Sequence, residues 1–277
     1  MPLTVTSGGS TVDTTGSLTV TVPSVTAVVG DLIVLTVLTD GFTDQSASYL
    51  PFNITWGSLT GVGADWNVRT VFTKQAPDTT VGITSLALLI ATGGTHDVVV
   101  EWSPMEPTPS RQIVQVAIVS GLTGSDFFFS GAASSGGSGT VVTGPSLLMR
   151  RNESVIIAGV QTDGPVTDTA GVWTGGFTSL ERVGTNVANP NITLDVGYLI
   201  NTIPATYTPG KTGITARTWT VVAAVVDIPD PVTVTITGAT TYQYGFDYSN
   251  RGPFTRHEDV IEKQIWRGSR RHGPFPS

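Results

Sequence analysis

The chain contains no cysteine. That removes disulfides, thiolate nucleophiles and cysteine-based zinc sites together. Charge is scarce too. Asp, Glu, Lys and Arg make up 13% of the 277 residues, about half the usual share. The surface must then be covered largely by Thr, Ser, Asn and Gly, which suits packing against other proteins as much as an ordinary β-sandwich. Long apolar runs are missing. Stretches such as LALLIA at 86–91 fall far short of the roughly 20 residues a membrane helix needs, so no membrane insertion is expected. The opening MPLTVTSGGSTVDTT has neither a basic n-region nor an apolar h-region, which predicts no signal peptide. The Asn-x-Ser/Thr triplets at Asn53, Asn152 and Asn191 then read as chance in a Thr-rich chain.

Glycine (32), proline (17) and abundant Thr, Ser and Val favour strands and turns over helices. Hydrophobic content of 39% supports a real core, and the length is comfortable for two units. The net charge of −7 argues against nonspecific nucleic-acid binding. It is also unevenly spread. Residues 241–277 hold six Lys+Arg against four Asp+Glu, whereas residues 1–240 hold eight against seventeen.

The sequence repeats itself. VPSVTAVVGDLIVLTVLTDG (22–41) and GPSLLMRRNESVIIAGVQTDG (144–164) share Pro-Ser, a polar turn, a long apolar segment and Thr-Asp-Gly at almost constant spacing. ITWGSLTGVGADWNVRTVF (54–72) parallels GVWTGGFTSLERVGT (171–185), and RQIVQVAIVSGL (111–122) parallels ARTWTVVAAVVDI (216–228). The period inside each copy is two. Gln112–Val119 alternates as a half-buried strand does, Leu32–Leu38 is nearly continuous and apolar, and 97–102 and 232–237 are further strands. Turn clusters recur every 8–12 residues or so, the spacing of a sandwich or jelly roll and not of βαβ units. The expected fold is all-β: two tandem, duplicated antiparallel β-sandwich or jelly-roll-like units, followed by an extended arm with a short helix. The expected divisions are 1–124, a Gly/Ser-rich linker at 125–144 around SGAASSGGSGT, 145–240, and the arm 241–277. Whether the copies close two sandwiches or share one stays open.

Little points to catalysis, and no cofactor is expected. His96 precedes Asp97 at a turn, where a surface histidine outweighs half of a dyad; His257 and His272 lack metal-ligand spacing. Nucleophile-elbow, phosphate-loop, zincin and EF-hand patterns are missing, and GVGADW (61–66) lacks a third glycine. Asp227 and Asp230 have the spacing to share a calcium ion but read better as turn caps, and Asp40 and Asp163 read as Asp-Gly turns after strands. Among the tryptophans, Trp102 and Trp219 fall within strand patterns and belong to the core. Trp56, Trp66 and Trp173 lie near predicted turns and are candidates for a sugar-stacking platform on a host-surface glycan.

The ending differs from everything before it. Tyr242, Tyr244, Phe246 and Tyr248 stand at i, i+2 spacing, so an extended chain puts four rings on one face. Thr255-Arg256-His257-Glu258 has the form of a capping box. Val260, Ile261 and Ile265 then form a helical apolar stripe with Trp266 beside it. Arg267, Arg270 and Arg271 follow, and two GPF triplets present Phe254 and Phe275. A helix of about three turns is marginal alone, and aromatic and Arg residues are enriched in interfaces. The segment reads as a docking arm ordered by a partner.

GDLIVLTV (30–37), ITWGSLTG (54–61), GVWTGGFTSLERVG (171–184) and TWTVVAAVVDI (218–228) together resemble β-sandwich virion proteins of tailed bacteriophages, of the minor tail and other minor structural kinds found in phages of actinobacteria. The resemblance covers roughly residues 16–230 and leaves the arm outside. It implies a non-enzymatic virion protein, attached to tail or capsid, present in several copies or as a homo-oligomer and made without a leader. It carries over no catalytic residue. A carbohydrate- or host-surface-binding module is the alternative.

Overall fold

The computed structural model describes residues 2–42, 51, 53–60, 81–102, 111–122, 128–186, 191–227, 232–236 and 240–244. Among them every regular element is a strand, and every ladder is antiparallel. The first eight strands are β1 (Thr4–Asp13), β2 (Thr19–Ala27), β3 (Leu32–Phe42), β4 (Asn53–Trp56), β5 (Leu59–Thr60), β6 (Val81–Ile90), β7 (Gly94–Glu101) and β8 (Arg111–Ser120). They form two four-stranded sheets, ordered β1-β8-β3-β6 and β2-β7-β4-β5. Eight strands crossing between two facing sheets in this order make a jelly roll.

The β2 sequence shows how the pattern becomes packing. Val20, Val22, Val25 and Ala27 are buried while their neighbours are exposed. The spacing changes phase at Pro23-Ser24, where β2 carries one residue more than β7. Such a bulge restores the alternation. Ser24 adopts φ 56°, rare for a residue with a Cβ, and its amide donates to Asp97 Oδ1 at 2.9 Å. The first Pro-Ser of the repeated sequence is thus a bulge.

The second unit contains β9 (Phe128–Thr143), β10 (Leu147–Leu148), β11 (Ser154–Thr162), β12 (Ala170–Thr174), β13 (Thr178–Gly184), β14 (Thr193–Asn201), β15 (Thr206–Tyr207) and β16 (Gly210–Asp227). Its large sheet runs β9-β16-β11-β14-β13, with β12 joined to the first part of β16. The order β9-β16-β11-β14 repeats β1-β8-β3-β6. The pair β10-β15 repeats β2-β7. β17 (Val232–Ile236) and β18 (Thr240–Tyr244) close a hairpin.

The sheets stack in layers. Ile33, Leu35 and Val37 of β3 join Val114, Val116 and Ile118 of β8 against Val22, Ile54, Trp56, Val98 and Val100 of the facing sheet. The other face of the same strands, with Leu32, Val34, Leu38, Ala117 and Val119, packs on Val155, Ile157, Leu194, Val196, Val222 and Ala224 of the second unit. Residues 112–119 therefore differ from the half-buried strand expected: they are buried on both faces. Met149, Phe177 and Leu147 cover the far side of β11 and β16.

Two boundaries differ from the sequence reading. The stretch 125–144, expected as a linker, is strand from Phe128 onward, paired with β16 along most of its length. Its small residues serve packing. At Gly136 a Cβ would stand 2.4 Å from the Trp219 ring, so only glycine lets the indole lie against the backbone. The expected arm begins inside a strand: Tyr242 and Tyr244 pair opposite Val234 and Val232. The proposed helix and Phe246, Tyr248, Phe254, Val260, Ile261, Ile265, Trp266, Arg267, Arg270, Arg271 and Phe275 lie outside the described residues.

Candidate functional site

The densest chemistry lies inside the second unit, around Asp195. In TLDVGYLI of β14 the flanking Leu194 and Val196 take the face toward the first unit, and Asp195, 5% exposed, takes the other. Lys211 of β16 bonds directly to Asp195 Oδ2, and Arg182 Nε of β13 lies 3.6 Å from the same oxygen. The Trp173 indole donates to Asp195 Oδ1 at 3.2 Å, and the Lys211 ammonium sits 5.2 Å from the centre of that ring. A Cβ on Gly197 would meet the indole at 2.6 Å, so this glycine makes the ring's seat.

The network continues to the β11–β12 loop. Arg182 Nη1 donates to the Asp168 carbonyl at 2.8 Å. Arg217 grips the Asp168 carboxylate with both Nε, at 2.7 Å, and Nη2, at 3.3 Å. Such forked pairs are the strongest of their kind. Thr162, Thr193 and Thr215 complete a cleft with room for about one water molecule.

Burial drives the Lys211 ammonium below its ordinary pKa; the Asp195 carboxylate opposes this, and nearby Arg182 adds to it. The hydrogen bond to Asp168 raises the pKa of Arg217, against a smaller effect of burial. Both carboxylates here bind cations. The arrangement ties β12, β13, β14, β16 and a loop together, which is mechanical work.

Sequence reasoning missed this cluster, although a charged residue inside an apolar strand, as at Asp195, was a usable signal. Trp56 corrects the glycan platform. It is 0% exposed, donates to the Val25 carbonyl at 3.3 Å and meets the His96 ring edge-on at 4.9 Å. A turn-flanking tryptophan here plugs the first core. Trp173 is half-buried and stacks on Phe177 at 5.9 Å. Trp66 lies outside the described residues. Trp102 and Trp219 are buried.

His96 is exposed on β7, opposite Val25, and Asp97 is engaged by Ser24, so the two do not form a dyad. Asp227 is buried and accepts from Ser154 Oγ at 2.6 Å and the Arg150 amide at 3.3 Å, as a turn cap does. Asp230, His257 and His272 lie outside the described residues. Asp40, expected in a turn, is buried within β3 opposite Arg111. Asp163 does sit in a bend, its amide donating to the Thr218 carbonyl at 3.1 Å. No protein-family model, curated protein or solved structure matches this chain.

Proposed function

We propose that the chain is a non-enzymatic structural protein of a virion, attached to tail or capsid, which assembles with other virion proteins through its C-terminal segment. The observation that carries this is the contrast between body and ending. The body is a jelly roll followed by a second β unit built on the same central strand order, and its described charged cluster is spent on internal ties. The ending carries the opposite charge balance and a run of aromatic and Arg residues from Tyr242 to Phe275. Jelly rolls recur in viral capsid proteins and in lectins, which is an analogy of fold and not of site.

Limited proteolysis of the full chain, with fragments identified by mass, tests the arm. Rapid cutting between Tyr244 and Arg271 over a resistant body is the expected result. Protection of the whole ending would mean that it packs on its own body and would remove the docking arm. Particle incorporation then tests the virion: a chain stopped after Tyr244 is expected to be left out, and its normal incorporation would refute assembly through the arm.

The fold analogy with lectins keeps a glycan-binding module as the second reading. With Trp56 in the core, that reading rests on Trp66 and Trp173. Unchanged glycan binding in Trp66→Ala and Trp173→Ala would remove it.

A further inference from the structure

We infer that the chain is a fused pseudo-dimer, whose two units are related by an approximate two-fold axis through the contact between Thr36 and Gly159. The outer face of β3 and β8 is thus an interaction surface, and the partner it fits is the matching face of the second unit.

The shared Thr-Asp-Gly, at 39–41 and 162–164, sets the match between β3 and β11, and the ladders extend it to the neighbouring strands. In the first unit Val34 pairs with Ala117 on one side and Leu88 on the other; in the second Ile157 pairs with Ala224 and Tyr198. One constant offset along each strand carries the first ladder onto the second. By that rule Leu32 matches Val155, Val34 matches Ile157, and Thr36 matches Gly159. Leu32, Val34, Val155 and Ile157 lie in one continuous core. Equivalent faces therefore meet, as in an isologous dimer.

A contact between equivalent positions places the axis. A Cβ built on Gly159 would lie 2.5 Å from Thr36 Cγ2. In a two-fold interface a position touches its own equivalent only near the axis, and Thr36 and Gly159 are such equivalents. The site has room for one side chain, and Thr36 fills it from one sheet while glycine yields on the other. Two first units facing each other would place threonine on threonine. The pair thus favours joining unlike units. A second, one-sided tie adds to this: Ser7 and Ser10 of β1 both donate to the Glu181 carboxylate of β13.

Exchanging the two residues in the full chain tests the axis. Gly159→Thr alone overfills the site and is expected to lower Tm by roughly 5 °C, the scale of an overpacked core in a chain this long. Thr36→Gly alone opens a gap and lowers Tm as well. The double variant, Thr36→Gly with Gly159→Thr, conserves volume and composition and moves the knob to the other sheet. Its Tm is expected within about 3 °C of wild type, since volume-conserving swaps are the best tolerated. A double variant at least as unstable as the two losses combined, or one that does not fold, would overturn the pseudo-symmetry. If Gly159→Thr proves too unstable to measure, recovery of a folded double variant supports the axis by itself.

Discussion

At the residue scale, the two tryptophans of the repeated Trp-turn segments, Trp56 and Trp173, have parted company. Trp56 lies in an apolar core, with one hydrogen bond to a carbonyl. Trp173 shelters an ion pair. Taking Lys211 and Asp195 from water is costly, and their attraction repays that cost only while both are present. Lys211→Met leaves the Asp195 carboxylate buried with Arg182 at 3.6 Å as its remaining cation. We expect a loss of about 3–5 kcal/mol in urea unfolding. Adding Asp195→Asn to Lys211→Met should recover much of that loss, because no buried charge is then stranded. A double variant weaker than Lys211→Met would show that the carboxylate matters for more than its partner. Asp13 makes the pH prediction. Burial pushes its pKa up, but hydrogen bonds from the Thr15 hydroxyl and the Ser17, Thr15 and Gly16 amides outweigh this and leave it below the ordinary 3.8. A carboxyl depressed by folding adds stability above its unfolded pKa and loses it as pH falls through the folded one. The advantage of wild type over Asp13→Asn should therefore be full above about pH 4 and shrink below it. A difference that stays constant down to pH 2 would refute the assignment.

At the scale of elements, β9 is the sharpest case. Gly, Ser and Ala are what a flexible linker uses, and they are also what a strand needs when a tryptophan lies across it. Hydrogen exchange separates the two. Amides of 131–135 that bond to β16 should be protected by orders of magnitude, and Gly136→Val, which drives a side chain into Trp219, should release them. Immediate exchange of the wild-type segment would mean that it is a linker after all. The strands with β-branched alternation or continuous apolar runs, β3, β7, β8 and β17, were legible because their neighbours lie within the same short pattern. The duplication was legible too, through Pro-Ser and Thr-Asp-Gly. β9 was not, since its reason for being a strand is an indole more than eighty residues away. The cluster around Asp195 was hidden for the same cause. Asp168, Arg182, Asp195, Lys211 and Arg217 come from three strands and a loop, and no spacing in the chain announces that they meet. Trp56 was misjudged because nearness to a turn says nothing about which side of the sheet a ring takes.

At the scale of the whole molecule, the layering decides how the chain unfolds. The sheet β1-β8-β3-β6 is covered by apolar residues on both faces, by β2-β7-β4-β5 on one side and by the second unit on the other. Removing the second unit would bare Leu32, Val34, Leu38, Ile113, Ala117 and Val119 to water. Each of the larger side chains loses about 1–3 kcal/mol on exposure, a sum comparable to the whole stability of a small unit. The two units should therefore melt together, unlike sandwiches joined by a tether. Trp56 and Trp102 report on the first unit, Trp173 and Trp219 on the second. Fluorescence of chains that keep one pair or the other, with phenylalanine in place of the remainder, should give thermal midpoints that coincide with each other and with far-UV circular dichroism of the same chain. Two midpoints separated by many degrees would mean that the face between the units contributes little and that each unit stands alone. Coincidence would make that face a cohesive joint and would require any assembly arm to act on the pair of units as one body.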